Sequence, residues 1–284
     1  MITFPNVVCI WYPSGGFGHF INGVLTLAGK DFKRPNNNNI EFNNNGNSHS
    51  LDLVAPKYFH DPPEYNFKFN NSSRYSVLVD NGINNESKKF CSMFPDAQVI
   101  KICYTDYTWP IVSRTMIEKA MNTNFDQHVF IDDGKWGTTD LWAQREKYFL
   151  FLRDHSLRFA WRNDPECTNI NIDDMINYQQ LYKKIVEIGI DINAFESLWT
   201  QWYYYNKKYL EPVTTAYKIL QHVDQQIDLD LSNITDVWGQ SVIYYFIWLK
   251  YKFKIPHNDY ANWFTNTKDI VIMLNRHGVL VDTH

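Results

Sequence analysis

The stretch Tyr12-Pro13-Ser14-Gly15-Gly16-Phe17-Gly18-His19 has residue types and spacing that can do chemistry. Its glycines admit positive φ and let a ligand approach the backbone closely, because no Cβ stands in the way. A turn of this kind that runs into a helix aims backbone N–H groups at one point, where an anion such as phosphate is favoured. Ser14 adds a hydroxyl donor, and His19 adds a group that exchanges a proton near neutrality. The stretch is not a Walker A sequence, which needs a lysine followed by serine or threonine. It is not the dinucleotide fingerprint either, since Ile21 stands where the third glycine belongs.

The elements that position this turn are legible on both sides. Val7, Val8, Cys9, Ile10 and Trp11 form a β-branched, apolar run that predicts a strand. Phe20, Ile21, Val24, Leu25 and Leu27 recur near helical spacing and predict a helix. A second strand is predicted at 75–80, closed by the turn signal Asn81-Gly82, and a third at 98–104. A short helix at 87–93 and a longer one at 111–121 complete a strand–helix alternation. That order predicts a parallel sheet with covered faces, with ligands beyond the carboxyl ends of its strands. The Ser14–Gly18 turn would then lie near Asp80, a second candidate base, and near 104–114.

Residues 30–50 are dominated by asparagine and read as a surface loop, and 51–65, with three prolines, as loop and turns. A short strand is expected at 128–130. From 141 onward amphipathic helices are expected at 141–159, 173–188 and 194–209, with a break at Pro212 before another at 213–223. The alternation Ile227-Asp228-Leu229-Asp230-Leu231 predicts a late strand, and helices follow at 233–249 and 258–275. Residues 1–284 are expected to form a single α/β domain, in which a sheet core with the anion-binding loop (1–135) carries a helix-rich part (136–284). Arg145, Arg153, Arg158, Arg162 and His155 form a second basic group, read as a solvated helix face rather than an anion site. The aromatic stripes around Trp199, Trp202 and Tyr203 and around Trp238–Trp248 read as core.

Composition limits the classes of function. With 284 residues, 44% hydrophobic and 17% aromatic, the chain can fill a substantial core. A net charge of −4 argues against a nucleic-acid or anionic-membrane surface. Four widely spaced cysteines indicate neither a zinc site nor a disulfide framework. No signal-peptide pattern and no run near 20 apolar residues is present, so a soluble, cytoplasmic protein is expected.

Two segments together resemble the sulfotransferase superfamily. Tyr12-Pro13-Ser14-Gly15-Gly16, between strand and helix, is similar to that family's loop for the 5′-phosphosulfate of the donor PAPS. Phe94-Pro95-Asp96-Ala97-Gln98-Val99-Ile100-Lys101-Ile102, running on to Val112-Ser113-Arg114, resembles its strand leading to the serine of the 3′-phosphate site. The chain departs from the family's pattern at two points: the turn has no lysine or arginine, and Cys103-Tyr104-Thr105-Asp106 stands where the family has an arginine.

The resemblance implies a P-loop NTPase-like, three-layer α/β/α fold with a central, mainly parallel sheet. It further implies sulfuryl transfer from PAPS, released as PAP, to a hydroxyl of a saccharide or small metabolite. Ser14, Gly15, Gly16, Phe17 and Gly18 would hold the 5′ end. Ser113 and Arg114 would hold the 3′-phosphate, with His19 or Asp80 as general base and no metal required. Nucleotide-sugar glycosyl transfer, or an α/β accessory protein without donor binding, are the competing expectations.

Overall fold

A computed structural model describes residues 7–13, 15–30, 32, 74–80, 97–114, 141–156, 163–192 and 195–279. In chain order it contains β1 (Val7–Tyr12), α1 (Gly18–Ala28), β2 (Tyr75–Asp80) and β3 (Gln98–Cys103). Residues 109–114 are helical. There follow α2 (Leu141–Ser156), β4 (Thr168–Asn171), α3 (Ile172–Ile176), α4 (Tyr178–Glu187) and α5 (Phe195–Asp224). The last elements are α6 (Val237–Tyr251), a 3₁₀ turn at His257–Ala261, and α7 (Thr267–Arg276). Among the described residues the protein is mixed α/β and mostly helical, with one small parallel sheet. The expected helix at 87–93 and strand at 128–130 lie outside the described residues. Among the described residues no helix is long and apolar enough to cross a membrane.

The chain forms two compact units, Met1–Thr105 with Trp161–Lys207, and Asp106–Ala160 with Lys208–His284. In the first, four strands pair in the order β2-β1-β3-β4, every neighbour parallel. β1 has a partner on each edge and buries Val8, Cys9 and Ile10 almost completely, which explains its unbroken apolar run. Ile10 pairs with Ile100 and Ile102 with Ile170 across the ladders, and all four are fully buried. α1 packs on β1 and β2, where Ser76 Oγ donates to Asn22 Oδ1 at 2.5 Å.

In the second unit α6 is apolar on all sides, and Val242 to Ile247 are buried without interruption. A helix with that pattern has to be an interior element. Asp236 caps its start, accepting from Gly239 N–H at 2.6 Å, and α2 packs along it. The Tyr244 hydroxyl donates to the carbonyls of Asp259 and Asn262 at 3.1 and 2.7 Å, which ties the 3₁₀ turn to this helix. Arg145, a member of the second basic group, is not on a solvated face. It is buried, donates to Asn262 O at 2.8 Å and lies 3.8 Å over the Trp263 ring.

Several expected boundaries moved, each for an identifiable reason. The strand expected at 227–231 is a single bridge, Asp230 to Asn266, with Leu231 N–H donating to Thr265 O and Thr267 N–H to Leu229 O. Pairing stops there because Thr267 begins α7, capped by the reciprocal bonds of Asn266 and Asp269. The helix expected over 173–188 is split at Asn177, whose side chain accepts from Gln180 N–H and starts α4 afresh. β4 was not expected, since Thr168-Asn169-Ile170-Asn171 offers one apolar residue to the core.

Pro212 does not interrupt the chain: it lies inside the 30-residue helix α5. Leu210, Val213, Ala216, Ile219, Leu220 and Val223 continue one buried stripe across it. Burying that stripe outweighs the roughly 3 kcal/mol that proline costs a helix interior. Pro212→Ala should therefore raise the unfolding free energy by about 1–3 kcal/mol, since it restores a backbone donor. Urea denaturation checks this; an unchanged or lower midpoint would mean that the ring's own packing outweighs the missing hydrogen bond.

Candidate functional site

The turn after β1 is built by backbone conformations that only particular residues accept. Gly16 N–H donates to Pro13 O at 2.7 Å, closing a four-residue turn. Gly15 has φ 82°, the positive value that the third position of a type II turn requires. A Cβ on Gly16 would stand 2.7 Å from Pro13 Cγ, and one on Gly18 would stand 2.2 Å from Tyr12 Cγ. Both glycines are thus fixed by close approach. Ser14 lies outside the described residues.

Phe17 has no such freedom, yet it adopts the left-handed conformation, with φ 63° and ψ 25°. This strains a residue that carries a Cβ, and such strain survives only where packing enforces it. The packing comes from Trp202 on α5, fully buried, whose indole meets the Phe17 ring edge-on at 4.9 Å and stacks on Phe20 at 4.6 Å. α1 then starts at Gly18 without a side-chain cap and without an acidic residue in its first turn.

His19, one of the two candidate bases, is buried in the first turn of α1. Its Nε2 lies 3.0 Å from the Tyr12 hydroxyl, with the two rings edge-to-face at 5.5 Å. Tyr12 therefore covers Gly18 with its ring and orients His19 with its hydroxyl. Asp80, the other candidate base, stands opposite Tyr12 in the β1–β2 register, so its backbone reaches the same carboxyl end of the sheet.

Ser113 and Arg114 belong to the second unit, while the turn belongs to the first. The Ser113 hydroxyl is buried and donates to Pro110 O at 3.0 Å, one helical turn back. Arg114 donates to Ile111 O, and its guanidinium lies 5.3 Å over the Tyr209 ring. These contacts seat both side chains in their own helix, and Arg114 against α5 as well.

The sheet order adds weight to the turn. From β1 the chain goes to β2 on one side, and from β3 it goes to β4 on the other. The carboxyl ends of β1 and β3 thus mark a topological switch point, where α/β sheets leave a crevice for ligands. Cys103 ends β3 there, with its thiol 3.4 Å from Asn169 Oδ1. Burial pushes this thiol up to about 11, and the nearby Lys101 ammonium offsets only part of that. A protonated, buried thiol is a poor nucleophile. Sequence reasoning read Trp202 as core, which it is, but missed its contact with Phe17 and the bracing by Tyr12, which no local pattern announces.

Two outcomes are expected. Gly18→Ala should cost about 1–3 kcal/mol in urea unfolding through overpacking against Tyr12. The loss should shrink in a Tyr12→Ala background, and equal losses in both would place the clash elsewhere. Iodoacetamide at pH 8 should leave Cys103 unmodified in the folded protein, because its raised pKa keeps the thiol protonated there; peptide mapping that finds Cys103 alkylated before unfolding would contradict this. Compared with known proteins, the chain matches no family model, no curated protein and no solved structure.

Proposed function

We propose that this protein binds the phosphate end of a nucleotide-type donor at the turn between β1 and α1, and that it is a sulfotransferase-like enzyme. The observation that carries the reading is the turn itself. It sits on a central strand of a parallel sheet, at the switch point, with Gly15 and Phe17 in left-handed conformations and an uncapped helix start behind them. Loops so placed collect backbone donors for an anion. In this reading the fold is P-loop-like, with the sheet core of a three-layer α/β/α arrangement.

PAPS would supply the activated sulfuryl group, and a saccharide or small-metabolite hydroxyl would accept it. Backbone N–H groups between Gly15 and His19 other than that of Gly16, which closes the turn on Pro13 O, would join the Ser14 hydroxyl in holding the 5′-phosphosulfate and stabilising charge on the departing phosphate. His19 would take the proton of the acceptor hydroxyl as its oxygen bonds to sulfur and the sulfur–phosphate oxygen bond breaks. The Tyr12 hydroxyl on Nε2 fixes the ring's orientation for that step. Because the turn itself carries no lysine or arginine, its hold on an anion would rest on oriented N–H dipoles.

Thermal unfolding with PAP, ATP, UDP and nucleotide sugars, each at millimolar concentration, tests the reading. PAP should raise the melting temperature most, by a few degrees if its concentration exceeds Kd about tenfold. Ser14→Ala should reduce the shift, whereas His19→Gln should keep the shift and abolish transfer of labelled sulfate to an acceptor. A larger shift with a nucleotide sugar would turn the assignment to glycosyl transfer. A flat response to every nucleotide would leave an α/β protein without donor binding.

A further inference from the structure

We propose that a stripe of aromatic rings on α4 and the first turns of α5 binds a neutral saccharide chain. Tyr178 and Tyr182 lie four apart on α4, and Phe195, Trp199 and Tyr203 lie four apart on α5, so each set shares one helix face. The rings meet in a continuous ladder: Tyr182 to Tyr178 at 6.1 Å, Tyr178 to Trp199 at 5.7 Å, and Trp199 to Tyr203 at 5.0 Å. Phe195 is buried beneath it, against Tyr178 at 5.4 Å and Tyr182 at 5.9 Å. Trp199 is locked by its indole N–H, which donates to Met175 O at 2.9 Å. The ladder does not close into a core, since Tyr182 is 37% exposed while Tyr178, Trp199 and Tyr203 are half-buried.

The chemistry of the stripe selects its occupant. The hydroxyls of Tyr178, Tyr182 and Tyr203 take no hydrogen-bond partner from the described residues, and none of the three is a buried orphan. Aromatic faces bordered by unspent hydroxyls suit a ligand that alternates C–H faces with hydroxyl groups, as a pyranose chain does. A nucleic acid or other polyanion fits poorly. Lys183 is spent on Glu187 at 3.7 Å, and the Glu196 carboxylate, after burial, helps to hold the Tyr178 phenol above its ordinary value. An apolar protein partner would strip three hydroxyls of water without pairing them, which costs free energy at each.

This inference does not rest on the donor reading, because a chain that binds no nucleotide could still carry a saccharide here. Native gels containing amylose, xylan, mannan or mixed-linkage β-glucan, with heparin as the anionic control, test it on the full chain. Migration should be retarded by at least one neutral polymer and not by heparin. Tyr182→Ala and Tyr203→Ala should each weaken binding of the matching hexaose roughly tenfold in calorimetry. Tyr204→Ala, at a ring 72% exposed whose neighbour is Tyr205, should leave it unchanged. Circular dichroism of each variant separates lost binding from lost folding. Free migration in all four neutral gels overturns the proposal. So does retention by heparin alone, or a concentration-dependent dimer that Tyr182→Ala abolishes, which would make the stripe a self-association surface.

Discussion

A single indole holds the turn after β1 in its strained shape. Trp202 packs edge-on against Phe17 and face-on against Phe20, and Gly18, which follows Phe17, lies under the Tyr12 ring. Removing a buried tryptophan costs on the order of 3–5 kcal/mol, more than the 1–3 kcal/mol stored in one left-handed residue. The contact can thus outbid the strain, and the chain keeps a conformation that Phe17 alone would leave. The direction in which α1 departs, and so the aim of its N-terminal dipole, follows from that contest.

The same constraint explains how a turn without lysine or arginine could hold an anion at all. Charge from a flexible side chain can be positioned late, when the ligand arrives. Oriented N–H groups have no such latitude: they help only if already fixed, since reorienting them costs what they would return. Tyr12 and Trp202 supply fixity from two sides, one along the strand and one from α5. A helix start with no acidic residue in its own first turn completes the arrangement.

What could be read in the chain before folding was whatever depends on near neighbours. The apolar run of β1, the spacing in α1 and the glycine turn are local, and each stands where expected. Ser113 shows the limit of residue type: inside a helix its hydroxyl finds the carbonyl three residues back, and a donor by chemistry becomes a satisfied core group by context. Pro212 shows the limit of propensity, because a buried stripe carried the helix through it. Trp202 was legible only as core. That it presses on Phe17 is a fact of three dimensions, written nowhere in the spacing of either residue.

The sheet's two faces are unlike, and this bears on which layers can cover it. Ile10, Ile100, Ile102 and Ile170 give one face an apolar centre, which Ser76 and Gln98 border with polar groups. On the other, Trp11, Lys101 and Asn169 stand side by side across three strands, with the Lys101 ammonium 4.8 Å over the Trp11 ring and 3.8 Å from Asp164. A cation held by an aromatic face and a carboxylate can be covered at tolerable cost, but not by a plain apolar helix stripe. α5 solves the opposite problem within its first three turns. Trp202 faces inward to brace the turn, and Trp199 and Tyr203, both on the same side of its 198–202–206 line, form the helix's next, half-buried stripe. Because the inward and outward rings sit on separate stripes of one rigid helix, changing the outer rings leaves the bracing of Phe17 intact. At Tyr203 surface chemistry can change without loss of that brace, whereas Trp199, bonded to Met175 O, carries stability as well.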